Sequence, residues 1–168
     1  VKNNVPFTLE NKYINSGFYN NCFIPYIQKI NKSGHTWNKY GKLIQEIYPN
    51  EEFENNLFLK KCFISEINHF PSKTSKIYNY DFENRLNFLK SDFYKNFRVI
   101  ILACGNYLKR KKIEEIFEVN YKDNFSLPRK KLIIYENKNR ILINTRQLSF
   151  DTSNSYISEI ASKILEQS

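Results

Sequence analysis

The fold is decided by residues 81–105, which read DFENRLNFLKSDFYKNFRVIILACG. The first part of this stretch predicts an amphipathic helix, because its apolar residues share one helical face: Phe82, Leu86, Leu89, Phe93 and Phe97. The run from Val99 to Ala103 is then almost continuously apolar, which is typical of a strand buried on both faces of a parallel sheet. A helix followed at once by such a strand is the signature of an α/β domain.

The sequence on either side continues this alternation of helices and strands. Upstream, Thr36 is a good N-cap for a helix over residues 37–48, and residues 62–67 alternate as a strand does. Downstream, the pattern predicts a helix over 106–119, two strands over 130–136 and 140–145, and a final helix over 153–165.

These elements predict the fold class and the domain organisation. We expect one α/β domain spanning residues 1–168, built as a three-layer α/β/α sandwich with a mainly parallel central sheet. Residues 1–34 show no clear pattern. The strand over 99–103 is expected at the centre of the sheet, fully buried, with parallel neighbours that include residues 62–67.

The charge balance points to a polyanionic partner. The chain has 168 residues, and 26 Lys plus Arg against 17 Asp plus Glu give a net charge of +9. Such a surface attracts nucleic acid, single-stranded or double-stranded. The abundance of Lys, Asn, Ile, Phe and Tyr also fits an AT-rich genome, so a plain interaction domain remains an alternative.

Several classes of protein are excluded or disfavoured by what the sequence lacks. No apolar run reaches the roughly 18 residues of a membrane span, and the first residues lack the apolar core of a signal peptide, so we expect a cytoplasmic protein. No phosphate-binding GxxxxGK[ST] or GxGxxG motif and no GxSxG occurs. His35, His69 and the distant Cys22, Cys62 and Cys104 form no metal-ligand spacing, so we expect neither metal nor cofactor and read the cysteines as buried thiols.

Two polar segments follow predicted strands, where open α/β sheets place their ligand sites. They read EINHFPS from Glu66 to Ser72 and NTRQLS from Asn144 to Ser149. Both mix hydrogen-bonding and apolar groups, as a site for a flat base requires, although ordinary polar loops look similar. If they form one pocket, the residues that must converge at one sheet edge are Asn68, His69, Arg146 and Ser149.

A third candidate surface is basic. Lys109, Arg110, Lys111 and Lys112 are consecutive in the helix predicted over 106–119, so they cannot all share one face. At least two must be exposed and available to phosphates. The alternative is a solvated helix face without a partner.

The segments CFISEINHFPS, RVIILACGNYLKRKKIEEIF and RILINTRQLS, in this order, resemble the pattern of elements in the uracil-DNA glycosylase superfamily. The resemblance covers about residues 33–165. It implies a glycosylase-like enzyme that flips a uracil or another deaminated base and hydrolyses its N-glycosidic bond, without a cofactor. In that reading Asn68 and Gln147 bind the base or nucleic acid, His69 or Arg146 stabilises the departing base, and Ser149 holds a phosphate. A non-catalytic nucleic-acid-binding protein of the same fold is the alternative.

Overall fold

The computed structural model describes residues 35–51, 61–63, 65, 67, 79–127, 130–148 and 152–166. Over this part the chain is mixed α/β, with helices and an open, mixed sheet of four strands. The elements in chain order are α1 His35–Ile47, α2 Asn79–Leu89, α3 Asp92–Lys95, β1 Val99–Leu102, α4 Arg110–Phe117, β2 Asn120–Leu127, β3 Lys130–Asn137, β4 Arg140–Asn144 and α5 Asn154–Leu165.

The chain divides into two compact units. The first comprises Val1–Ile64 with Ser149–Ala161, and the second comprises Ser65–Leu148 with Ser162–Ser168, so the division falls within α5. In the first unit, Lys39 Nζ donates to Asn154 Oδ1 over 3.0 Å, which joins α1 to the start of α5. The expectation of a single domain stays a prediction.

The sheet lies in the second unit and has the strand order β1-β4-β3-β2. Its pairing is parallel between β1 and β4, with Val99 opposite Ile141, and antiparallel in the meander β4-β3-β2. The two strands predicted over 130–136 and 140–145 are confirmed, and they form a hairpin in which Asn137 pairs with Arg140 across the turn. The sequence pattern missed β2 altogether.

Two expectations about the sheet are wrong for the described strands. The sheet is not mainly parallel, because one of its three strand pairs is parallel. β1 lies at the edge of the described sheet and is half-buried rather than fully buried and central. A continuous apolar run is typical of a strand whose two faces are covered, but it does not indicate whether the strand has a hydrogen-bonded neighbour on each side.

The strand expected over 62–67 is also corrected. Cys62, Phe63 and Ser65 have no strand structure, Lys61 before them is helical, and Ile67 lies in a bend, whereas residues 64 and 66 lie outside the described part. A short apolar run fits a helical or irregular segment as well as a strand, because its length gives too few periods to separate them.

The helix expected over 82–97 is interrupted. α2 ends at Leu89, and Ser91 is extended, with φ −62° and ψ 157°, before the four-residue α3 begins. The break leaves the aromatic rings packed edge to face, with centroid distances of 5.4 Å between Phe88 and Tyr94 and 5.2 Å between Phe93 and Tyr94. Edge-to-face aromatic pairs of this kind stabilise the corner between α2 and α3 by more than the burial of their apolar surface alone would.

The core of the second unit lies on both faces of β3 and β4. Successive residues alternate between faces, and Leu132, Leu142 and Ile143 are fully buried. α4 buries Ile113, Ile116 and Phe117, and the carbonyl of Phe117 accepts a hydrogen bond from Arg140 at the start of β4. This arrangement fixes α4 next to the strands that carry the candidate site.

Candidate nucleic-acid interface

The candidate interface lies where the parallel strands β1 and β4 end. Thr145 N donates to Leu102 O over 2.9 Å, and Gly105 N donates to Thr145 O over 3.1 Å. Two further hydrogen bonds therefore hold the chain leaving β1 beside the chain leaving β4. Gly105 has φ +62°, a left-handed conformation in which a side chain would be strained, so this glycine permits the turn toward α4.

The segment after β4 carries two predicted site residues. Arg146 is half-buried and Gln147 is exposed, between the buried Thr145 and Leu148. The Oδ1 atom of Asn144, at the end of β4, is buried and finds no hydrogen-bond partner among the described residues. An acceptor of this kind costs free energy, about 1–3 kcal/mol, unless a ligand or water satisfies it.

α4 starts at this same edge with a turn of cations. The helix begins at Arg110, four residues later than expected, because Gly105 and the turn after it occupy the start of the predicted helix. Lys109 is the N-cap residue, its side chain makes no capping hydrogen bond, and the first turn contains no acidic residue. We name Lys109, Arg110, Lys111 and Lys112 the cationic turn.

The prediction that at least two of these side chains are exposed is confirmed. Lys109, Arg110 and Lys111 are exposed, and Lys112 is half-buried. All four belong to one turn, so consecutive side chains point in different directions around the helix.

Ion pairs separate the cationic turn into two kinds of residue. Arg110 Nε lies 3.1 Å from Glu114 Oε1, and Lys112 Nζ lies 3.4 Å from Glu115 Oε2. Lys109 and Lys111 make no ion pair within the described part of the chain. These two lysines are therefore the members of the cationic turn without a direct ion pair to a described residue, although the charge of Lys111 also helps to lower the pKa of Glu114.

Glu114 connects the cationic turn to the sheet. It accepts a hydrogen bond from Tyr121 N over 3.1 Å, which lowers the pKa of its carboxyl group, and the neighbouring Arg110 lowers it further. The guanidinium carbon of Arg110 lies over the Tyr121 ring, 4.0 Å from its centroid. A second ring, Tyr135, supports Tyr121 edge to face at 6.1 Å. Arg110 is therefore held in place on β2 rather than swinging freely.

Burial keeps three ionisable side chains neutral near pH 7. Desolvation raises the pKa of Tyr135, whose side chain is buried. Burial likewise raises the pKa of the Cys104 thiol to about 11 and that of Cys62 to about 12. Both thiols are half-buried and neutral near pH 7, unlike a nucleophilic cysteine.

The predicted pocket is only partly described. Asn68, His69 and Ser149 lie outside the described residues, so their convergence with Arg146 stays a prediction. Ser65, three residues before Asn68, accepts hydrogen bonds from the Tyr94 hydroxyl, over 3.0 Å, and from Arg85. Cys22 and His69 also lie outside this part, and within it no group of His, Cys, Asp and Glu could hold a metal ion.

Sequence reasoning missed Glu114 and Tyr121, which hold Arg110 in place. The spacing of Arg110 and Glu114, four residues apart in a helix, signals an ion pair and could have revealed the first. Tyr121 could not be recognised, because the strand that carries it was not predicted.

No helix in the described part of the chain has the length and apolar character needed to cross a membrane. Comparison of the chain with protein-family models, with curated proteins and with solved structures finds no match.

Proposed function

We propose that the chain binds nucleic acid at the edge formed by the cationic turn and the segment after β4. The observation that carries this proposal is that Lys109 and Lys111 are exposed at the start of α4 and form no ion pair with a described residue. The amide groups at a helix N-terminus already have positive character, and the first turn of α4 contains no acidic residue, so the cations there destabilise the helix. A phosphate at this position would remove that penalty.

Two further features support this location. Arg146 is half-buried at the end of β4, joined to the start of the β1-α4 connection through the Thr145 and Gly105 hydrogen bonds. Ligands of open α/β sheets bind at the carboxyl ends of parallel strands. The net charge of +9 adds long-range attraction for a polyanion.

Base excision is the second candidate function, and it is favoured by Arg146 at this edge. A permanent cation there would stabilise the anion that forms on a departing base. The sequence resemblance to uracil-DNA glycosylases supplies the remaining roles, with Asn68 at the base edge, His69 assisting departure, and Gln147 and Ser149 contacting the nucleic acid. The three-layer glycosylase architecture and the cytoplasmic location belong to the same proposal.

Binding is tested by fluorescence anisotropy with labelled single-stranded and duplex DNA over a series of salt concentrations. The double variant Lys109→Gln/Lys111→Gln should bind more weakly, with a salt slope reduced by about 1.4–1.8, because each phosphate contact contributes about 0.7–0.9. The matched control is Arg98→Gln/Lys138→Gln, which removes the same charge. These residues lie at the other end of the strands, Arg98 just before β1 and Lys138 in the turn between β3 and β4. Equal losses in both double variants would contradict a localised interface.

Excision is tested separately by incubating the protein with uracil-containing single-stranded DNA and cleaving abasic sites with alkali. The second candidate predicts cleavage that Arg146→Ala or Asn68→Ala reduces at unchanged thermal stability. Binding without cleavage would favour the non-catalytic alternative.

A further inference from the structure

We propose that Arg110, stacked on Tyr121, forms a platform for an unpaired nucleobase, so that the nucleic acid bound at the cationic turn is single-stranded. This inference rests on the proposed function and specifies its substrate. It concerns the planar guanidinium group rather than the charge of the turn.

The geometry of Arg110 is that of a planar group already fixed in position. Its guanidinium carbon lies over the Tyr121 ring at 4.0 Å, and its Nε atom donates to Glu114 Oε1 over 3.1 Å. Glu114 is itself fixed by the Tyr121 backbone amide. The ring and the carboxylate therefore hold the guanidinium before any ligand arrives, which reduces the entropy lost on binding.

Part of the Arg110 side chain is accessible to a ligand. The side chain is 58% exposed even though its guanidinium carbon lies over the Tyr121 ring. Proteins bind unpaired bases by stacking them on aromatic rings or on guanidinium planes. A base stacked on the guanidinium group of Arg110, on the side away from Tyr121, would extend the stack that Tyr121 begins.

The neighbouring lysines supply the contacts that a strand needs on either side of such a base. Lys109 and Lys111 directly precede and follow Arg110, are exposed, and make no ion pair with a described residue. A single strand combines accessible base faces with phosphates, whereas the bases of a duplex are stacked on one another and offer no open face. The arrangement therefore selects single strands.

The test separates the plane of Arg110 from its charge. The probe is a single-stranded oligonucleotide containing 2-aminopurine, whose fluorescence is quenched by stacking, compared with a duplex of the same sequence. Arg110→Lys keeps the positive charge but removes the planar guanidinium group, whereas Arg110→Tyr supplies a planar aromatic ring but removes the charge. Arg98→Lys is the matched control, since Arg98 is an exposed arginine just before β1.

We expect the wild-type protein to quench the probe and to prefer the single strand. Arg110→Lys should lose the quenching and bind the single strand about fivefold to tenfold more weakly at an unchanged salt slope. Arg110→Tyr should retain the quenching with a shallower salt slope, and Arg98→Lys should behave as wild type. Unfolding curves of the exposed-site variants check that each remains folded.

Two other results overturn the inference in distinguishable ways. If the wild-type protein binds single strand and duplex equally, or Arg110→Lys weakens both equally, the platform is wrong and the proposed nucleic-acid binding stands. If neither nucleic acid binds at low salt, the proposed function fails together with the platform.

Discussion

The guanidinium group of Arg140 donates to the main-chain carbonyl of Phe117, the last residue of α4, over 2.6 Å. The same group donates to Phe97 O over 3.0 Å and to Lys95 O over 2.5 Å. One side chain at the start of β4 thus satisfies carbonyl groups at the ends of α3 and α4. These carbonyls carry the negative end of each helix dipole, which a cation stabilises.

Replacement of Arg140 by Lys should therefore destabilise the second unit strongly. Lysine keeps the charge but cannot direct planar, diverging donors at the four carbonyls of Tyr94, Lys95, Phe97 and Phe117, so partly buried acceptors lose their partners. We expect the free energy of unfolding to fall by about 2–3 kcal/mol, measured by urea denaturation. Arg98→Lys is the control, and an equal effect at both positions would contradict the role of Arg140.

Glu114 should contribute to stability in a pH-dependent way. Because the Tyr121 amide and Arg110 lower its pKa in the folded state, its contribution is complete above the unfolded value of about 4.3. It is lost as the pH falls through the lower, folded pKa. Glu114→Gln should flatten the acid side of the stability profile measured by thermal unfolding between pH 2 and 6. Glu83→Gln, on the exposed surface of α2, should leave that profile unchanged.

The described cysteines should resist alkylation while the protein is folded. Burial raises the pKa of Cys104 to about 11 and that of Cys62 to about 12, so almost no thiolate is present at pH 7.5. Mass spectrometry of tryptic peptides after iodoacetamide treatment should show slow labelling of both, accelerated by urea. Native labelling at the rate of the urea-unfolded chain would refute this expectation.

Asn144 offers a test of the orphaned acceptor at the end of β4. Its Oδ1 atom is buried without a described partner, and its side chain also forms a hydrogen bond with Tyr135. Asn144→Leu, of similar size, removes the unsatisfied acceptor but also removes a partner of the buried Tyr135 hydroxyl, so the two effects oppose each other. We expect the free energy of unfolding, measured by urea denaturation, to change by less than about 1 kcal/mol. A fall of about 2 kcal/mol or more would mean that the hydrogen bond to Tyr135 outweighs the unsatisfied acceptor. If Asn144 serves the interface, the variant should also bind nucleic acid more weakly.

The elements that the sequence predicted well are those whose pattern is long or locally closed. α1 and α5 follow a helical period for three turns, and the β3-β4 hairpin follows from two β-rich runs around Asn137, Lys138 and Asn139. β2 was not predicted because Asn120–Leu127 contains few β-formers. Its strand conformation is stabilised by pairing with β3. Tertiary pairing of this kind overrides local propensity.

The candidate site was predictable in its charges but not in its geometry. Four consecutive basic residues are visible in the sequence, and their exposure follows from helical spacing. Which of them form ion pairs or ring contacts depends on Glu114, Glu115 and the unrecognised strand that bears Tyr121. Local sequence determines which groups are present, whereas the long-range fold determines which of them neutralise one another.

The strand order has a consequence for when the interface is assembled during folding. The meander β2-β3-β4 closes short loops, whereas pairing Val99 with Ile141 closes a loop of roughly forty residues, at a greater entropic cost. Contacts of high sequence separation form slowly, so we expect the hairpins to form early and β1 to dock late. Because the segments after β1 and β4 meet only through that docking, a nascent chain would complete the proposed nucleic-acid interface in the last folding step.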